Sequence, residues 1–237
     1  MYKSILAISE GGPDAVMSFR LAARIAAQFD GTVDAVHFAE HLAHDSDIAV
    51  QSMPFLKRLS DERLKARLAE SQRAFGELIV PIKDATFTGK EGMTREELVQ
   101  AGRFASLVVI GRPGADDENI APRTVKAAIY DCARPVVIAP PEPAERPIAS
   151  VVVAWNGSSQ AARAVGSALP FLAKAAKVTV LVADAKPEDV AAPLLTRNLG
   201  RRGIAAAVDT AKFGALTGPG RGRALLAYAK DKGPIFW

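Results

Sequence analysis

The sequence predicts an α/β protein with a parallel sheet, laid down twice along the chain. Three observations carry this. Leu107 to Ile110 is an unbroken apolar run, short and without polar alternation, which suits a strand covered on both faces. That run ends in Gly111-Arg112-Pro113-Gly114. A helical segment, Pro122 to Ala133, follows, and a second apolar run, Pro135 to Pro140, closes the unit. Strand, glycine loop, helix and strand make one crossover, right-handed by default. Finally, Ile148 to Trp155, then Asn156-Gly157-Ser158 and an alanine-rich helix to Ala176, repeat the opening of the chain.

Taken in order, Lys3 to Ser9 reads as the first strand, broken by Glu10-Gly11-Gly12-Pro13. Pro13 suits the first turn of a helix, and Asp14 lies near the positive end of its dipole. Leu21, Ile25 and Phe29 recur every four residues, and Asp30-Gly31 ends the helix. Thr32 to Phe38 is the second strand. His41 to Arg58 is a long connection whose later part, Ile48 to Leu56, is apolar enough for a lid or packing arm. A helix is predicted from Ser60 to Ile79, capped by Ser60, with Leu64, Leu68, Phe75 and Leu78 as its buried stripe. Asp84 to Thr88 is a short third strand. Thr94 and Glu97 have capping-box spacing for a helix to about Ala105. With the Ser106 to Pro140 unit, this completes five strands.

Residues 140–147 hold four prolines and form a stiff linker, dividing a first domain, 1–143, from a second, 144–237. In the second, Lys177 to Ala183 and Ile204 to Asp209 read as strands and Pro187 to Gly200 as a helix. Gly218-Pro219-Gly220-Arg221-Gly222-Arg223 precedes a helix from Ala224 to Lys232.

Composition narrows the class. Hydrophobic residues make up 49% and charged residues 24% of the 237, the mix of a globular protein with a sizeable core. Cys132 is the only cysteine, which precludes an intrachain disulfide and suits a reducing compartment. No apolar run approaches the ~20 residues that span a bilayer. With no signal peptide ahead of the first strand, a cytoplasmic protein that does not engage membranes is expected. Net charge is +4, but residues 1–145 carry −4 and residues 146–237 carry +8. The basic residues are scattered and no aromatic residues alternate with them, so nucleic acid is not an expected partner.

The Gly111-x-x-Gly114 loop after a buried strand, the order of elements around it, and Val151-Val152-Val153-Ala154-Trp155-Asn156-Gly157-Ser158 together resemble the universal stress protein family. The resemblance covers nearly the whole chain as a tandem of two domains. It implies a doubly wound five-stranded sheet of order 3-2-1-4-5, like that of the adenine nucleotide alpha hydrolases, and a non-enzymatic role in stress adaptation. In nucleotide-binding members the glycine loop wraps the ribose and phosphates of ATP. An Asp-Gly-Ser turn after the first strand faces the adenine. By that pattern Glu10 stands at the Asp, Gly11 at the Gly and Gly12 at the Ser. Gly111, Gly114 and Thr124 are the remaining candidate contacts. The second half of the family's loop signature, a Gly followed by Ser or Thr, is replaced by Thr124-Val125. Asp116, Asp117 and Glu118 would repel a triphosphate. Weak or lost ATP binding is therefore expected, with slow ATP turnover in a nucleotide-dependent switch as the alternative. The second domain is expected to be truncated, Ile235-Phe236-Trp237 forming a stub of its fourth strand. Paired family domains associate through their final strands, which implies a homodimer built on Val136 to Ala139.

A third reading starts from His37, His41 and His44, whose spacings of four and three share one face of a helix and, with Asp45 and Asp47, could hold zinc. No nucleophile motif, phosphate-binding lysine loop or dinucleotide fingerprint is present, and Cys132 reads as a buried, inert thiol.

Overall fold

A computed structural model describes residues 2–39, 54–89, 93–114, 120–141, 147–232 and 235–236. The chain divides into two compact units, Met1–Glu145 and Arg146–Trp237.

The first unit alternates strand and helix throughout. Its elements are β1 (Ser4–Ser9), α1 (Pro13–Phe29), β2 (Thr32–His37), α2 (Pro54–Leu78), β3 (Thr86–Gly89), α3 (Arg95–Phe104), β4 (Leu107–Ile110), α4 (Pro122–Lys126) and β5 (Val136–Ile138). Helix α4 runs on as a π-helical turn, Ala127–Asp131. The strands pair in parallel in the order β3-β2-β1-β4-β5. The apolar run Leu107 to Ile110 is the inner strand β4 and the run Pro135 to Pro140 holds the edge strand β5, and Ile5 and Ile8 of β1 and Leu107 to Ile110 of β4 are fully buried. Phe19, Leu21, Ile25 and Phe29 of α1 cover one face, and Leu98 and Val99 of α3 belong to the core cluster that includes Leu6, Ile8, Val108 and Ile110. Local chemistry places the helix ends. Asp30 takes the left-handed conformation, φ 51°, and closes α1. Thr94 and Glu97 form the reciprocal capping box that their spacing predicts.

Helix α2 departs from expectation. It begins at Pro54, since proline suits a first turn, and Ser60 lies inside it. Its buried strip is Arg67, Ser71 and Ala74, while Leu64, Leu68, Phe75 and Leu78 are only half-buried. This helix therefore turns a polar strip inward.

The second unit comprises β6 (Ser150–Ala154), α5 (Ser159–Lys174), β7 (Lys177–Ala183), α6 (Ala192–Gly200), β8 (Ala206–Ala211), α7 (Gly218–Asp231) and β9 (Ile235–Phe236). Its parallel order is β8-β7-β6-β9. The expected stub is present as β9, with Ile235 beside Ser150 and Phe236 beside Val151. It flanks β6 as β4 flanks β1. Helix α7 starts six residues earlier than expected, because Thr217 accepts a hydrogen bond from the Gly220 amide at 3.4 Å and caps it there. The glycine and arginine run thus lies within the helix. Among the described residues, no helix is long and apolar enough to cross a membrane.

The packing of α3 on the π-turn rests on Gly102. A Cβ there would lie 2.3 Å from the buried Cys132 Sγ and 2.8 Å from its Cβ. Gly102→Ala should therefore destabilise the protein by ~1–3 kcal/mol, overriding the ~1 kcal/mol that alanine gains over glycine in a helix. Urea denaturation checks the sign, and a more stable variant would show that Cys132 yields freely.

Candidate functional site

In a doubly wound sheet the strand at which the order reverses leaves a crevice at its carboxyl end. Here that strand is β1, flanked by β2 and β4. The sequence at its end is Ser9-Glu10-Gly11-Gly12, and every one of these residues is buried.

Glu10 reaches across to the start of α4. Its Oε2 accepts a hydrogen bond from the Ala121 amide at 3.0 Å, and its Oε1 accepts one from the Thr124 hydroxyl. Burial is the main cause that pushes the Glu10 carboxyl up to about 7, opposed by these two hydrogen bonds and by the Arg67 charge. The loop before α4 closes on itself. The Gly114 amide donates to Ile120 O at 3.2 Å, and the Ile120 amide donates to Arg112 O at 3.1 Å. Gly111 is buried at the end of β4, and residues 115–119, which include the acidic trio, lie outside the described residues.

Helix α2 covers the other side. The Arg67 guanidinium donates to Glu10 O at 3.3 Å. The Ser71 hydroxyl lies 3.0 Å from that of Ser9 and 2.9 Å from His37 Nδ1. The Gly11 amide donates to Ser9 Oγ at 3.0 Å. Gly11 has φ 79°, and a Cβ there would fall 2.2 Å from Arg67 O. Only glycine meets both the turn and the close approach of the helix. The end of β1 is thus lined by a polar cluster of Ser9, Glu10, His37, Arg67, Ser71 and Thr124.

The structure brings Glu10 and Thr124 into direct contact, whereas the Gly114 amide is turned to its own loop. His37 ends β2, buried and bonded to Ser71, and His41 and His44 lie outside the described residues. Among the described residues, no group of three or more His, Cys, Asp or Glu is placed to hold a metal ion. Sequence reasoning missed Ser9, Arg67 and Ser71. The signal available was the four-residue spacing of Arg67 and Ser71 ahead of Ala74, a small-polar strip beside the leucine row.

The second unit repeats the turn without the carboxylate. Asn156 Oδ1 accepts from the Ser158 amide at 3.1 Å, and Ser158 Oγ caps α5 through the Ala161 amide at 3.2 Å. Gly157 has φ 74°, and its Cβ position lies 3.3 Å from Val190 O, a carbonyl that also accepts from the Trp155 indole at 2.7 Å.

These features define a doubly wound α/β protein whose switch-point crevice is occupied by its own side chains. No protein-family model matches the chain, and no curated protein matches its sequence. Solved structures do match its fold. A universal stress protein from Archaeoglobus fulgidus DSM 4304 aligns over 97% of this chain and 83% of its own, at 17% identity and a TM-score of 0.57. A universal stress protein solved in complex with cAMP covers 60% of this chain and 98% of its own, at 15% identity and a TM-score of 0.33. A functionally unknown protein from Pseudomonas aeruginosa PAO1 covers 89% and 74%, at 12% identity and 0.42. The fold is that of the universal stress proteins.

The Glu10 carboxyl holds its proton more tightly in the folded chain, at about 7, than at its ordinary value of 4.5. Its contribution to stability is therefore complete below about pH 4.5 and is lost as the pH rises through about 7. The full change is ~3 kcal/mol. Glu10→Gln cannot titrate. Between pH 5 and pH 8 the wild type should lose stability relative to that variant by this amount, read by thermal or urea denaturation. Parallel pH profiles for the two would refute a buried, titrating Glu10.

Proposed function

We propose that this chain is a universal stress protein-like binding or regulatory module rather than an enzyme, with adenine-nucleotide binding that is weak or lost. One observation carries the reading. The Glu10 carboxylate takes the Ala121 amide and the Thr124 hydroxyl, the donors that an incoming phosphate would need. A nucleotide would have to expel a buried carboxylate, displace Arg67 from Gly11 and reopen a loop whose Gly114 amide is already paired. Each displaced group then loses its partner, at ~1–3 kcal/mol for a buried neutral group and more for a charged one. Such costs lower a nucleotide's affinity by orders of magnitude. Calorimetric titration of the purified chain with MgATP should show no micromolar binding. A micromolar dissociation constant would replace this reading with that of an ATP-binding switch.

Self-association is the second part of the proposal. Strand β5 ends the order of its sheet. Pro135 O accepts from the Val108 amide at 2.9 Å and the Ala139 amide donates to Ile110 O at 2.7 Å, so the odd-numbered residues face β4. By alternation, Val136 and Ile138 turn their backbone groups to the open edge. Ile138 is also 39% exposed, a large apolar side chain at that edge. An antiparallel, two-fold contact between β5 edges of two chains is self-complementary, and Pro135 and Pro140 keep it short. Ile138→Pro removes an outward donor while sparing the β4 ladder. Light scattering should report a dimer for the wild type and a monomer for the variant. A wild-type monomer, or a dimer indifferent to the proline, would place any contact elsewhere.

A further inference from the structure

We propose that the amino-terminal part of α2, residues 57–71, is a lid that opens over the carboxyl ends of β1 and β2 while the rest of the first unit stays folded. The lid is held differently from the covering helices α1 and α3. Helix α1 fully buries Phe19, Leu21, Ile25 and Phe29, and the ten-residue α3 buries Leu98 and Val99. Among the described residues, the 25-residue α2 buries only one apolar residue, Ala74. Leu64 and Leu68 are half-buried, and Phe55 and Leu59 are exposed. Apolar burial is what separates an element that opens only on global unfolding from one that opens alone.

The buried side chains of residues 57–71, Arg67 and Ser71, are polar. Arg67 donates to Glu10 O, and Ser71 bonds Ser9 and His37. Water replaces such partners on opening, so each bond contributes little net energy. The apolar anchors lie at the other end. Phe75 stacks on Phe87 of β3 with ring centroids 5.2 Å apart, and Ile79 is fully buried. The helix therefore has a fixed end, at 75–79, and a lightly held end over the crevice. Its close seat needs Gly11, since Arg67 O would lie 2.2 Å from a Cβ there.

Opening would expose Ser9, Glu10, Gly11 and His37 together, making the lid the control on access to the crevice discussed above. It is a property of the chain alone and is read without ligand, so it fails separately from the nucleotide reading.

Native-state hydrogen exchange on the full chain tests it. Amides of 62–71 should exchange at least ~100-fold faster than those of β1, β4 and α1, with no dependence on low concentrations of guanidinium. Gly11→Ala should accelerate exchange of 62–71 a further ~10-fold or more while leaving β4 and α1 within about twofold of wild type. Equal protection of α2 and β4 with the denaturant dependence of global unfolding would overturn the proposal. So would a Gly11→Ala variant that loosens the whole unit uniformly. The wild-type measurement decides the matter even if the variant does not fold.

Discussion

The first unit is arranged around one buried carboxylate. Glu10 lies beyond the reach of water, and a charge in that position must be hydrogen-bonded or protonated. The Ala121 amide and the Thr124 hydroxyl meet that need, and in doing so they tie the turn after β1 to the first turn of α4. Between β4 and α4, the Gly114 amide pairs with Ile120 O and the Ile120 amide with Arg112 O. Arg67 approaches from the opposite side and adds positive charge near Glu10. The end of β1 is thus closed by groups from within the chain.

The two units solve the same steric problem at the first turn. Each places a left-handed glycine, Gly11 or Gly157, immediately beyond its first strand, and each brings a backbone carbonyl close to it, that of Arg67 or Val190. The chemistry built on this common geometry differs. In the first unit the neighbouring acid is buried and crosses to α4. In the second, Asn156 is exposed and folds back on its own turn. The shared backbone geometry therefore carries different side-chain chemistry at the two turns.

Stability is unevenly distributed over the first unit. Its centre, β1 and β4 with the inward faces of α1 and α3, is largely apolar and buried, as parallel strands require. Its polar groups are gathered at the strand ends, under α2. There the groups satisfy one another, with Ser9, Ser71 and His37 in one chain of hydrogen bonds. Such a cluster is specific in geometry but adds less net energy than apolar burial of the same extent.

Much of this was legible in the residues. The apolar run 107–110 and the valine-rich segment 177–183 are strands with those bounds, because short β-branched segments suit a covered strand. The capping box at Thr94 and the end of α1 at Asp30-Gly31 were also readable, since both are local choices. Glu10 and Thr124 could be named as candidates from the resemblance to the universal stress protein family. Their contact could not, for they are 114 residues apart and meet only when β1 and β4 pair side by side. Helix α2 shows the same limit. Its leucine row pointed to an apolar seam, but the sheet ends beneath it are polar, and the helix turned Arg67 and Ser71 toward them. Sequence determines which segments become strands and helices because those preferences act within a few residues. Which groups meet in the crevice, and whether a carboxylate there is free or held, is decided only when distant strands are brought into register.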